Sequence, residues 1–242
     1  MKYVIVLVLT VISVARSSPL GAQNSIPRYE KQDVASVLQK EKQKDGTFAY
    51  SLDTKLIAGI LEVLEPHARV YPTQFASKRD EKQAREDVSK LSKILVAMTK
   101  DDEQARSLLL HQSAKLHSMA HNMGLKGAVG HADRCYQLLV KRHPDNMQIK
   151  FEYGRYLFFS RRHKASIQYL KAAHENGHET AAFQLGLAHA VTGNKEGALY
   201  YLKNYQRRFP DDKNAPRIIR AVENDAIETV NDSIKGRDDN DR

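Results

Sequence analysis

The chain has 242 residues, of which 38 are Lys or Arg and 29 are Asp or Glu, so its formal net charge is +9. Hydrophobic residues make up 41% of the sequence, which is enough to bury a core and excludes a disordered chain. The single cysteine, Cys135, excludes an intramolecular disulfide, and we expect it to be a buried small side chain.

The N-terminus has the pattern of a secretory signal peptide. The basic start Met1-Lys2 is followed by an uncharged apolar run, 3–14, and then by small residues around Gly21-Ala22. As a helix this run spans only about 18 Å, less than the ~30 Å of a bilayer's hydrocarbon core. We therefore predict a signal peptide over 1–22, cleaved near Ala22, and an exported protein with no stable membrane insertion after cleavage.

Four segments upstream of the middle of the chain predict helices. Residues 28–45 predict a short helix that ends at a Lys-Asp-Gly turn. Residues 52–70, with Asp53 as N-cap, and residues 78–100 each place apolar side chains on one helical stripe. A fourth helix over 101–124 is predicted to begin at a capping aspartate.

The segment 181–210 carries small and apolar residues at characteristic spacings. They are, in order, Leu185, Gly186, Gly193, Ala198, Leu202 and Pro210. Small residues at Gly186 and Ala198 allow two helices to approach closely. A glycine at 193 suits a turn between them, and a proline ends the second helix.

Similar residues recur upstream at a constant sequence separation: Ala132, Ala165 and Ala198 are equally spaced. This pattern resembles the tetratricopeptide repeat family, whose unit is a helix–turn–helix of about 34 residues. The three predicted units are 113–146, 147–178 and 179–212. In the middle unit Gly154 and Ala165 are eleven residues apart where the family has twelve. The register of its second helix is therefore fixed only to within one residue.

The resemblance implies an all-α fold in which about three repeats form a helical solenoid. A helix predicted over 215–234 would cap the last repeat. The predicted organisation is a signal peptide at 1–22, a divergent helical section at 23–100, the repeat array with its cap at 101–234, and a polar tail at 235–242.

The resemblance also implies a binding site, because the first helix of each such repeat lines a concave groove. The matching positions are His117, His121, Gln148, Phe151, Arg155, Thr180, Phe183 and Leu187. This set fits an extended or helical segment with a carboxylate near Arg155 and apolar side chains on the two phenylalanines. The alternative is that these residues pack against the section 23–100 or against another subunit.

Residues 174–178 match the H-E-x-x-H pattern of zinc proteases, in which His174 and His178 bind the metal and Glu175 is the general base. That chemistry requires a helix through all five residues, whereas Asn176-Gly177 is a turn signal. The repeat register also puts the joint between two repeats here. We interpret the segment as a turn. His117 and His121, four residues apart in one helix, are a second pair able to hold a metal.

The sequence therefore predicts a non-catalytic scaffold, without a cofactor or metal, that binds a protein or peptide partner outside the cytoplasm. By analogy with exported bacterial proteins of this repeat class, the resemblance suggests a role in envelope assembly. Interspersed charges and export argue against nucleic acid as a partner. The alternatives are a zinc-dependent hydrolase and a structural subunit that fills its own groove.

Overall fold

A computed structural model describes residues 26–227, so the predicted signal peptide and polar tail lie outside the described residues. By its contacts this part of the chain divides into two units, 26–139 and 140–227. It contains nine α-helices and one two-stranded sheet, so the all-α prediction is confirmed. The division follows Leu139, whereas the sequence predicted a boundary after Lys100.

The first unit combines a β-hairpin with helices. Its elements are a 3-10 helix Ala35–Val37, β1 Leu38–Lys42, β2 Phe48–Leu52, α1 Thr54–Ala68, α2 Lys78–Met98 and α3 Ser107–Asn122. Helix α4, Ala128–Arg142, begins in this unit and crosses the boundary.

Helices α1 and α2 begin at side-chain caps. Asp53 accepts hydrogen bonds from two backbone N–H groups of the first turn of α1, and Ser77 accepts one in α2. Asp101, in contrast, accepts backbone hydrogen bonds within a turn, and α3 begins only at Ser107. The prediction that Asp101 or Asp102 caps this helix is therefore wrong, because its N-cap is Arg106.

The hairpin replaces the helix that the sequence predicted over 28–45. Strands β1 and β2 pair antiparallel, with Lys40 opposite Tyr50. Between them Gly46 has a φ of +86°, and the Gln43 N–H donates to the Thr47 carbonyl at 2.8 Å. The helix prediction is wrong because the glycine turn reverses the chain directly after residues that favour helices elsewhere.

The core of the first unit forms where α3 packs on α1 and α2. Its fully buried side chains lie on one face of each helix and include Ile57, Ile60, Leu64, Leu91, Leu95 and Leu116. The apolar stripes that the sequence predicts for α1 and α2 are the faces that supply this core.

Two buried carboxylates attach the N-terminal extended segment to α2. The Tyr29 backbone N–H donates to Asp80 at 3.2 Å, and the Tyr29 hydroxyl donates to Asp87 at 3.3 Å. Both aspartates are buried, and each also accepts a hydrogen bond from a second residue, Ser77 and Gln32 respectively. These hydrogen bonds replace the water that the carboxylates lose on burial.

The second unit is a succession of helices in which each packs on the next. The helices that lie wholly in it are α5 Met147–Phe159, α6 His163–Glu175, α7 Ala181–Val191, α8 Lys195–Arg208 and α9 Asn214–Glu223. This successive packing is the arrangement of a helical solenoid.

Two glycines allow the paired helices of this unit to approach closely. A methyl group added at Gly154 would lie 2.8 Å from Leu170 Cγ, and one at Gly186 would lie 2.6 Å from Leu202 Cγ. Both leucines are fully buried. The sequence separation between Gly154 and Gly186 is the same as that between Leu170 and Leu202. The helix pair α5/α6 is therefore equivalent to the helix pair α7/α8.

This equivalence corrects the register of α6. Ser166 precedes the buried Ala198 by the same step and is fully buried, whereas Ala165 is exposed. The residue at the close helix contact is therefore Ser166, which restores the spacing of twelve residues from Gly154. The register that the sequence left open by one residue is thus that of Ser166 and not that of Ala165.

The turns of the two helix pairs are also equivalent. Arg161 and Gly193 both follow the end of a first helix, and both are left-handed, with φ of 63° and 81°. In each turn the next residue donates its N–H to the carbonyl five residues earlier, at 2.9 Å. Arg161 therefore occupies a conformation that glycine adopts without strain.

Helix α9 is shorter than the predicted cap over 215–234. It ends at Glu223, and Asp225 is left-handed with a φ of 53°. The Ala226 N–H donates to the Ala221 carbonyl at 2.8 Å, which closes the helix end. The Lys195 ammonium group donates to the Glu223 carbonyl. The predicted cap is thus interrupted, and its residues 228–234 lie outside the described part.

Candidate partner-binding surface

The segment 174–178 does not form the helix that a zinc protease motif requires. Helix α6 ends at Glu175, and Gly177 has a φ of +86°. The two imidazoles face different neighbours, because the His174 ring contacts Tyr201 at 5.6 Å and the His178 ring stacks on Phe151 at 3.8 Å between centroids. The predicted turn is confirmed.

His117 is buried in the first unit and is only 1% exposed. Its Nδ1–H donates to the Ser113 carbonyl at 2.7 Å, so its Nε2 accepts from the Ser92 hydroxyl at 2.8 Å. Ser92 belongs to α2. The prediction that His117 lines an open groove is therefore wrong, and the alternative of packing against the N-terminal section applies to this residue.

Burial sets the protonation of His117. It lowers the pKa of the imidazole to about 4, although the hydrogen bond to Ser113 opposes the shift, and His131, whose ring centre is 5.1 Å away, lowers the pKa further. The ring is therefore neutral at physiological pH. Because both of its nitrogens have partners, it is unavailable as a metal ligand beside the half-buried His121.

The second unit brings together three of the predicted groove residues and a fourth residue, His178, that the groove prediction did not include. Gln148 is exposed, Phe151 is buried and Arg155 is half-buried on α5. His178, from the turn after α6, stacks on Phe151, and its Nε2–H donates to Gln148 Oε1 at 3.1 Å. The Arg155 guanidinium carbon lies 5.9 Å from the Phe151 ring centre. We call these four residues the α5 cluster.

The contacts of His178 fix its tautomer. Because Nε2 carries the proton that Gln148 accepts, Nδ1 presents a lone pair. This nitrogen is buried, and no described protein atom donates to it. Burial lowers the pKa of the imidazole. The α5 cluster thus contains a buried acceptor nitrogen without a hydrogen-bond partner among the described residues, next to an aromatic ring and a guanidinium group.

The predicted groove residues of the third repeat lie in and beside α7. Leu187 is buried within the core of the second unit, so it does not line an open surface. Phe183 is half-buried and packs on Tyr205 with ring centres 5.0 Å apart. Thr180 is half-buried at the N-terminus of α7. Phe183 and Thr180 therefore remain partly accessible.

The sequence contains a signal for His178 that the groove prediction did not use. The Asn176-Gly177 turn returns the chain towards α5, so the residue after it meets the first helix of the same pair. The motif reading treated His178 as a possible metal ligand. Among residues 26–227 no group of three or more His, Cys, Asp or Glu side chains is arranged to hold a metal ion.

The single cysteine is buried, as predicted. Cys135 is buried in α4, and burial raises the pKa of its thiol. Low thiolate content and restricted access make it a poor nucleophile.

The chain matches no protein-family model, and no curated protein sequence is significantly similar to it. No helix within residues 26–227 has both the length and the apolar character needed to cross a bilayer.

Proposed function

We propose that the protein is a non-catalytic scaffold that acts outside the cytoplasm and binds a protein or peptide partner through its C-terminal helix pairs. The resemblance to tetratricopeptide repeats supports this role, as do the close helix contacts at Gly154 and Gly186. Export and a role in envelope assembly belong to the same proposal, since they rest on the N-terminal pattern and on analogy.

The observation that carries the proposal is the α5 cluster. A partner carboxylate fits the Arg155 guanidinium, which sits near the Phe151 ring. Next to the guanidinium, the half-buried His178 ring stacks on Phe151 and forms part of the same surface. Gln148 is exposed at the edge of the cluster, where its amide oxygen accepts from His178 and its amide nitrogen donates to Glu152 Oε1 at 2.8 Å. These features fit an extended partner segment that carries an acidic residue.

The proposed surface is smaller than the groove that the sequence predicted. It comprises Gln148, Arg155 and His178, with Thr180 and Phe183 as further accessible residues of the second unit. His117 and Leu187 are left out because their side chains are buried.

Affinity capture from the native compartment tests the proposal. The purified protein, its Arg155→Ala variant and its Arg217→Ala variant are immobilised, and the retained proteins are identified by mass spectrometry. Arg217 is a matched control because it is an exposed arginine on α9 of the same unit. We expect one or more proteins to be retained by the wild type and the control and lost with Arg155→Ala. Equal retention by all three would contradict the proposed surface.

A structural subunit whose groove is filled by its own chain is the second candidate. The burial of His117, Phe151 and Leu187 favours it, because a groove open to a partner would leave those positions accessible. On this alternative the Arg155→Ala change leaves capture unaltered, so the same experiment separates the two.

A further inference from the structure

The two outer edges of the β-hairpin, one on β1 and one on β2, differ in charge. Within residues 26–227 the sheet consists of β1 and β2 alone, so each strand has one side without a partner strand. Strand β1 includes Lys40, Glu41 and Lys42, whereas β2 has no charged residue at all. Charged side chains, lysine above all, are a common protection of an edge against pairing. The edge of β1 is protected in this way and the edge of β2 is not.

The side chains of β2 are exposed as well as uncharged. Phe48 is 47% exposed and Tyr50 is 54% exposed. They share one face of the hairpin with Lys40, whose ammonium group lies 3.7 Å from the centre of the Phe48 ring. An isolated two-stranded hairpin is only marginally stable in water. Additional strands would extend its hydrogen bonding and its apolar face.

The hydrogen-bond pattern shows which backbone groups of β2 reach the free edge. The Gln43 N–H donates to the Thr47 carbonyl, and the Asp53 N–H donates to the Val37 carbonyl. These two pairs are in register with the ladder, and hydrogen-bonded pairs alternate with non-hydrogen-bonded ones. The backbone groups of Phe48, Tyr50 and Leu52 therefore point away from β1.

We propose that β2 pairs antiparallel with β2 of a second copy of this chain, around a two-fold axis at Tyr50. Tyr50 then lies opposite Tyr50 of the second copy, and Phe48 lies opposite Leu52 of that copy. The outward backbone groups of the two strands coincide in this register, so each of the three pairs exchanges N–H and carbonyl groups. The product is a four-stranded sheet with β1 of each copy outermost.

Charge favours self-pairing through β2 over self-pairing through β1, and hydrogen bonding favours a strand over a bilayer at this edge. Pairing through β1 would place Lys40 against Lys40 of the second copy, and like charges directly opposite one another destabilise a sheet. A bilayer is disfavoured because the unpaired backbone groups of the β2 edge would lose water without gaining a partner. Since a five-residue strand buries much less than the roughly 800 Å² per partner of a standard interface, the association is weak and concentration-dependent.

Sedimentation measured as a function of protein concentration tests the pairing. The wild type is compared with Tyr50→Lys and with Gln39→Lys, a control that adds the same charge to β1. We expect reversible dimerisation of the wild type and of the control. Tyr50→Lys, which places two lysines opposite one another, is expected to raise the dissociation constant about tenfold or more. Circular dichroism and thermal unfolding verify that each variant is folded.

Mixing oppositely charged variants makes the test specific to the register. Tyr50→Lys and Tyr50→Glu proteins are each expected to dimerise less than the wild type, and their equimolar mixture is expected to restore dimers. A wild type that stays monomeric at every concentration overturns the proposal. So does a dimer that both lysine variants weaken equally, or a mixture that restores nothing. Binding of a monomeric wild type to anionic vesicles or to an added acidic peptide would assign the edge to another occupant and also overturn it.

Discussion

At the scale of single residues, His117 shows how a side chain that sequence reasoning assigned to a binding wall is instead part of a core. Its position in α3 matches a groove position of the repeat family, but the hydroxyl of Ser92 on α2 reaches its ring. A sequence pattern gives the face on which a residue lies. It does not give which other element covers that face.

The buried neutral imidazole makes stability dependent on pH. Because the folded-state pKa of His117 is about 4 and its ordinary value is 6.5, the unfolded state binds the proton more tightly. The protonation of His117 therefore costs no stability above about pH 6.5. As the pH decreases towards 4, the free energy of unfolding falls by up to about 3 kcal/mol because of this group. Urea unfolding at a series of pH values measures it.

The His117→Gln variant isolates this contribution. It is expected to be less stable than the wild type at pH 7 and to show a flatter dependence between pH 6.5 and 4, because it has no group to protonate. His143→Gln changes an exposed histidine and is expected to keep the wild-type profile. If His117→Gln retained the full wild-type slope, the acid sensitivity would come from other groups.

At the scale of elements, the second unit rests on close contacts between paired helices. Gly154 of α5 contacts Leu170 of α6 in the same way that Gly186 of α7 contacts Leu202 of α8. The sequence separation between the two glycines is the same as that between the two leucines. This repetition is the structural counterpart of the sequence periodicity that predicts helix pairs.

Adding one methyl group at Gly154 tests the contact. The Gly154→Ala side chain would overlap Leu170, a fully buried residue with little room to move, so we expect a loss of roughly 1–3 kcal/mol. Gly59→Ala is the matched control, since Gly59 lies within α1 and its added methyl meets no atom within 4 Å. It is expected to stabilise by about 0.5–1 kcal/mol through helix propensity. Thermal unfolding of both variants is the measurement, and equal effects would contradict the close packing.

Periodicity and capping residues predict the elements unevenly. The apolar stripes and the cap at Asp53 predict α1 well, because both signals are local. The register of α6 is left open by one residue, because Ala165 and Ser166 are neighbouring small residues and only the packing distinguishes them. The β-hairpin is missed because the Lys, Gln and Glu residues of β1 favour a helix and show no apolar face.

The candidate site is predictable only in part, and for a related reason. Family positions identify Gln148, Phe151 and Arg155, which do lie together on α5. The fourth residue of the cluster, His178, lies in a turn, and its stacking on Phe151 depends on the direction in which that turn leads the chain. Turn direction is a tertiary property that periodicity does not encode.

At the scale of the whole molecule, the described chain has two units with different surfaces. The first unit carries the exposed, uncharged edge of β2, to which we assign self-association. The second carries the α5 cluster, to which we assign the partner. Since the two surfaces use different residues, a Tyr50 variant is expected to alter dimerisation and an Arg155 variant to alter partner capture.

Partner binding at the α5 cluster is tested most directly by a double-mutant cycle between Arg155 and an acidic residue of a captured partner, measured by titration calorimetry. Wild-type protein and Arg155→Ala are each titrated with the partner and with a form whose carboxylate is replaced by an amide. We predict that either change alone weakens binding about tenfold or more, and that the two together weaken it little further, with a coupling energy of about 1–3 kcal/mol. Additive effects, or undiminished binding by Arg155→Ala, would contradict partner binding at the α5 cluster.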